Sequence, residues 1–169
     1  MPRIFDNIEL KLLPSLAQTL KLSHKAEFCV GYFNLRGWKQ LLPYIEGWNG
    51  SEENQCKLLI GMNETSPEDD LKSMLSFSNN EILLDRQKLV EFKHKLAMQL
   101  REQLTFGTPT HQDEMALRQL VTQLKAKKLV VKLFIKHKLH AKLYLLYRND
   151  PNNPITGFLG SSNLTMAGL

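Results

Sequence analysis

Cysteine is scarce in this chain, with only Cys29 and Cys56 among 169 residues. Both lie inside apolar segments, away from any CxxC or Cys/His grouping, so they read as buried thiols rather than as a disulfide or a zinc site. No apolar run approaches the roughly 20 residues needed to span a membrane. The opening Met1-Pro2-Arg3-Ile4-Phe5-Asp6 also lacks the apolar stretch of a signal peptide. These absences lead to the expectation of a cytoplasmic protein with no structural metal, no cofactor and no membrane partner. A GxxxxGK[ST] loop is missing as well, so these residues carry no P-loop ATPase. With no repeat, low-complexity tract or internal boundary, a usage of 43% apolar and 23% charged residues suits one globular domain over 1–169.

Charge is the first positive signal. The formal net charge is +5 and the pI about 9.2, a balance that suits a polyanionic partner without requiring one. Its distribution is more informative. Lys125, Lys127, Lys128, Lys132, Lys136, Lys138 and Lys142 fall within eighteen positions, together with His137 and His140. Such a run is equally consistent with a solvated face and with a nucleic-acid track.

The periodicity alternates between helical and strand patterns. Ile8, Leu12, Leu13, Leu16 and Leu20 predict an amphipathic helix over about Asn7 to Leu22, with Asp6 as its cap. Glu27 to Phe33 reads as a buried strand, followed by a helix near Trp38 to Ile45. Cys56 to Met62 predicts a second strand, and Ser66-Pro67-Glu68-Asp69 opens a helix reaching about Leu75. Leu83 to Phe106 is helical in period. A loose capping box at Thr110 to Asp113 precedes a helix to Lys125, whose apolar face is expected from Met115, Leu117, Leu120, Val121 and Leu124. Three strand-like runs follow: Leu129 to Ile135, Ala141 to Tyr147 and Ile155 to Leu159. Strands first paired with helices and then grouped predict an α/β fold with a mixed β-sheet flanked by helices.

The chemistry gathers near the end. Residues two apart on a strand share a face and lie roughly 6.5–7 Å apart, so His140 and Lys142 are expected on one side, continued by Tyr144 and Leu146. The next strand runs into Gly160-Ser161-Ser162-Asn163, with Asn163 expected to begin a helix through Leu164 and Ala167. Hydroxyls, an amide and backbone N–H groups there suit a phosphate. A neutral imidazole can attack phosphorus, and a charged one can protonate a leaving oxygen. Lys142 and Asn163 would hold the non-bridging oxygens.

His140-x-Lys142 followed by Gly160-Ser161-Ser162-Asn163 resembles the active-site motif of the phospholipase D superfamily. The likeness spans Leu117 to Leu169 and, more faintly, Gly31-Tyr32-Phe33-Asn34-Leu35-Arg36-Gly37. It is closest to phospholipase D-like domains at the front of bacterial helicases with restriction- or defence-type associations. The resemblance implies a phospholipase D/nuclease-like fold and a metal-independent hydrolase acting on DNA, joined to a downstream helicase domain. It also implies His140 as nucleophile, Lys142 and Asn163 on phosphate, and Ser161 or Ser162 in support. Lys138 is a further phosphate candidate from the basic run. Asn34 and Arg36 are accessory candidates if the first strand neighbours His140.

The family builds one site from two motif copies, whereas this chain has one. A homodimer with facing histidines is the simplest completion, and a second copy in a longer polypeptide is its rival. Tyr147 stands where the family has Asp, which leaves Asp150 as a substitute acid. The chain stops at Leu169, six residues past Asn163, in what reads as the start of an apolar helix. An N-terminal fragment of a larger helicase-type protein is therefore expected. The alternative function is a DNA-binding module without turnover.

For the remaining histidines and the tryptophans the structural reading is preferred. His24 and His94 lie in polar stretches, His111 sits at a helix start, and His137 is offset to the opposite face from His140. Trp38 and Trp48 are expected in the core or at its rim.

Overall fold

Five short segments fold as strands of one mixed sheet, and along three of them buried and half-exposed residues alternate. The computed structural model describes residues 4–5, 9–61, 90–91, 94, 97–98, 110–134, 139–165 and 168–169. Element order is α1 (Leu12–Lys21), β1 (Ser23–Val30), α2 (Leu35–Lys39), α3 (Leu42–Ile45), β2 (Cys56–Ile60), α4 (His111–Lys125), β3 (Leu129–Leu133), β4 (Lys142–Arg148) and β5 (Ile155–Leu159). The architecture is therefore α/β, as expected. All these elements belong to one compact unit, 1–62 with 108–169, while 63–107 cluster as a second. In the second, Val90, Glu91, His94, Ala97 and Met98 are helical, inside the helix expected over Leu83 to Phe106. The helix expected after Ser66-Pro67 lies outside the described residues. Among the described residues, no helix is long and apolar enough to cross a membrane.

The strands lie in the order β3-β2-β1-β4-β5. β1, β2 and β3 are parallel, with Phe28 opposite Leu58 and Leu58 opposite Val131. β4 runs antiparallel to β1 with Val30 opposite Lys142, and β5 antiparallel to β4 with Leu143 opposite Leu159. Because β1, β2 and β3 advance in one direction and parallel crossovers are right-handed, α2, α3 and α4 cover the same sheet face. That face carries Ala26, Phe28, Val30, Leu58, Ile60, Tyr144 and Leu146, which join Leu16, Leu20, Trp38, Leu41, Ile45 and Leu120 in the core. Burying each such side chain contributes roughly 1.5–3 kcal/mol.

Several boundaries depart from the sequence expectation for identifiable reasons. α1 begins at Leu12 rather than Asn7, and Pro14 occupies its first turn, where a missing N–H costs no intrahelical bond. Asp6 lies outside the described residues. The helix expected over Trp38 to Ile45 is two short helices, because Pro43 at the start of α3 cannot donate to the preceding turn. The capping box at Thr110 is complete: its hydroxyl accepts from the Asp113 N–H, and the Asp113 carboxylate accepts from the Thr110 N–H. These bonds, followed by Lys39, hold Asp113 below the usual carboxylate range.

α4 turns a different face inward from the one its apolar residues suggested. Ala116, Leu120 and Gln123 are buried, whereas Met115, Val121 and Leu124 are exposed. Gln123 explains the rotation. Its carbonyl accepts from Trp38 Nε1 at 3.3 Å, and its amide donates to Leu42 O at 3.2 Å and Glu46 Oε2 at 3.0 Å. The buried Trp38 N–H is thereby satisfied, which an apolar residue at 123 would leave unpaired at about 1–3 kcal/mol.

Candidate active site

The site forms where β1 ends, β4 begins and β5 ends, all at one edge of the sheet. His140 lies two residues before β4, exposed, and not on the strand itself as the two-residue spacing suggested. Its Nε2 nevertheless meets the Nζ of Lys142. An ammonium has only donors, so the pair is a hydrogen bond when the ring offers the Nε2 lone pair and keeps its proton on Nδ1. Lys142 is buried, 4% exposed, on the core face opposite Val30. Unpaired burial of an ammonium is costly, and the imidazole provides a partner at the rim.

The approach to His140 rests on a glycine. Leu139 donates its N–H to the Gly61 carbonyl at 3.1 Å, and Gly61 donates to Val30 O at 3.0 Å. A Cβ on Gly61 would stand 2.4 Å from Leu139 Cβ and 2.5 Å from its carbonyl oxygen. The segment entering β4 thus lies directly on the backbone just past β2.

The Gly-Ser-Ser-Asn turn is tied to both strands. Gly160 N–H donates to Lys142 O at 3.2 Å. Tyr144 OH donates to Ser162 O at 2.8 Å. Tyr32 N–H donates to Asn163 Oδ1 at 3.0 Å, so the side-chain oxygen of the amide is held just past the end of β1. Ser161 is exposed and Ser162 half-buried.

The helix expected to begin at Asn163 does not begin there. Leu164 instead lies as a parallel bridge beside Phe33, donating to Tyr32 O at 3.2 Å and accepting from Asn34 N–H at 3.1 Å. A turn closes later on Thr165, whose carbonyl accepts from Gly168 and Leu169. The Leu164 N–H is consequently committed to the fold and not to a ligand. Gly37 permits this packing, since a Cβ there would meet Leu164 O at 2.7 Å.

His140, Lys142, Ser162 and Asn163 are thus joined through one hydrogen-bonded edge. Of the accessory candidates, Asn34 is the N-cap of α2, its Oδ1 accepting from Gly37 N–H at 2.8 Å. Arg36 is exposed on α2. Lys138 and His137 lie outside the described residues.

Tyr147 is on the other sheet face near the far end of β4. Its hydroxyl donates to Glu27 Oε2 at 3.0 Å, and Lys25 Nζ lies 5.2 Å from its ring centroid. Burial first, then the Glu27 carboxylate, raises its pKa above the usual tyrosine value. Asp150 caps the β4–β5 turn through Asn152 and Asn153 N–H and pairs with Arg148 at 3.6 Å. It sits beyond the far end of β4 and does not substitute near His140.

Among the other sequence-singled residues, Trp38 and Trp48 are buried. Cys56 is buried and Cys29 half-buried, both free thiols. His111 is exposed on α4 and His94 is exposed. His24 is half-buried on β1, with its Nδ1 shielded from solvent and unpaired, so its polar sequence neighbours misstate its exposure. Among the described residues, no group of three or more His, Cys, Asp or Glu could hold a metal ion.

Sequence reasoning missed the Tyr144 hydroxyl and the Tyr32 backbone. Parity with Lys142 already placed Tyr144 on the right face, but nothing local marked its partner 18 residues away. Compared with known proteins, the chain matches no family model and no curated relative.

Proposed function

We propose that this chain is a phosphodiesterase domain of the phospholipase D type, with a phospholipase D/nuclease-like fold, cleaving DNA through a His140 nucleophile without a metal ion. The observation that carries the reading is the junction of Lys142 and His140 with the Asn163 turn at one sheet edge. Lys142 and the Asn163 amide supply donors for phosphoryl oxygens, and a dry, preformed set of such donors stabilises charge that develops in the transition state. A phosphate oxygen accepting from Lys142 would take over the imidazole's place on the ammonium. The released Nε2 lone pair could then attack phosphorus and form a phosphohistidine as the P–O bond to the leaving oxygen breaks. Water would then cleave the P–N bond and restore the ring. The leaving oxygen needs a proton donor, which a second His140 across a homodimer axis, or a second motif copy in a longer polypeptide joined to a helicase, would provide.

The test is cleavage of plasmid DNA and bis(4-nitrophenyl) phosphate in excess EDTA. Turnover lost in His140→Ala is expected; equal turnover in that variant would overturn the assignment. The second reading, a DNA-binding module positioning a helicase motor, is favoured by the exposed Lys125, Lys127 and Lys132 of the basic run. It expects salt-sensitive DNA affinity, unchanged by His140→Ala, with no turnover at any pH.

A further inference from the structure

Tyr144 shares the buried sheet face with Lys142, two residues along β4, and takes no part in the chemistry above. Its hydroxyl donates to Ser162 O at 2.8 Å, and its ring stands edge-on to Phe28 of β1 with centroids 5.1 Å apart. Burial raises the hydroxyl's pKa above the usual tyrosine value, so it remains a donor throughout the neutral range. In a trans peptide the C=O and N–H point in opposite directions. Anchoring the Ser162 carbonyl therefore also sets the direction of the Asn163 N–H, while Tyr32 holds the Asn163 side chain from β1. Both the backbone and the amide of Asn163 are referenced to the two strands that meet at Lys142.

We propose that Tyr144 is a positioning residue of the phosphate site. Through the Ser162 carbonyl it holds the Ser161-Ser162-Asn163 turn at the spacing from Lys142 at which both grip one phosphoryl group. The role rests on the phosphodiesterase reading. It differs from a packing role because the ring and its contact with Phe28 survive in Tyr144→Phe, where only the tether is lost.

The experiment uses the whole chain. It compares wild type, Tyr144→Phe, Asn163→Ala and the double variant by hydrolysis of bis(4-nitrophenyl) phosphate in EDTA and by calorimetric binding of tungstate. Tyr144→Phe is expected to lower kcat about tenfold, the size of one lost hydrogen bond, with KM nearly unchanged and tungstate affinity weakened several-fold. In the Asn163→Ala background the same change is expected to have little further effect, because both act through one contact. A wild type that is active or binds tungstate, with Tyr144→Phe equal to it or additive with Asn163→Ala, overturns the positioning role alone. A wild type that neither hydrolyses nor binds overturns the phosphodiesterase reading and this role with it.

Discussion

The two ends of β4 carry polar pairs of opposite kinds. At its start Lys142 is buried and meets His140 at the rim. At its end Tyr147 and Glu27 satisfy each other, with Lys25 over the ring and paired to Glu53 at 3.4 Å. Five residues separate them, about 17 Å at roughly 3.3 Å each, and odd parity puts them on opposite faces. The far end is a cluster of side chains that bond to one another, whereas the near end ties side chains to the backbone of the turn after β5. Tyr147 therefore bears on the stability of the sheet and not on the geometry around His140.

The sharpest way to break this contrast is Lys142→Met. Methionine keeps much of the buried volume, so folding is expected to persist while turnover falls about 100- to 1,000-fold; unchanged hydrolysis with wild-type thermal unfolding would sink the near-end assignment. Gly61→Ala comes next. Its Cβ cannot avoid Leu139 without backbone movement, so a loss of about 1–3 kcal/mol in denaturant unfolding is expected together with weaker hydrolysis. Tyr147→Phe removes the hydroxyl that donates to Glu27 and should cost about 1 kcal/mol with turnover within a factor of about two, since its distance from Lys142 along β4, about 17 Å, exceeds the reach of a hydrogen bond. Tyr147→Asp, which supplies the carboxylate of the phospholipase D motif, sets a second carboxylate beside Glu27 and is expected to be less stable than wild type without any gain in rate.

The smallest effect is a pH dependence at the far end. The folded Tyr147 pKa is raised above its unfolded value, so its contribution is fully present below the ordinary tyrosine pKa near 10 and is lost as pH rises through the folded value. Stability curves of wild type and Tyr147→Phe should converge in that alkaline window. Parallel curves would show that Tyr147 does not titrate with folding.

Much of the near end was legible beforehand because its logic is periodic. The parity of Lys142, Tyr144 and Leu146 and the hairpin joining β4 to β5 follow from spacing and turn residues, whereas Asn34 and Arg36 are candidates only on the condition that the first strand neighbours His140. What stayed hidden depends on contacts distant in sequence. The inward turn of α4 is decided by Gln123 reaching Trp38 and Leu42, and an apolar count cannot anticipate a polar residue that is fully satisfied indoors. The fate of Asn163 to Leu164 is decided by Tyr32 and Asn34, which outbid the local helical pattern. Position 147 misleads in the other direction, because a motif alignment suggests proximity that strand parity denies.

Leu139 lying on Gly61 has a consequence for the order of folding. His140 is held by a residue 78 positions earlier than Leu139, and the turn that faces it is anchored to Tyr32, 131 positions before Asn163. Such separations place the site among the slowest contacts to form. The hairpin of β4 and β5 can close early, yet the turn after β5 meets Tyr32 only once the parallel strands have docked beside it. Under mild denaturation, hydrolysis is accordingly expected to vanish while much of the helical signal persists.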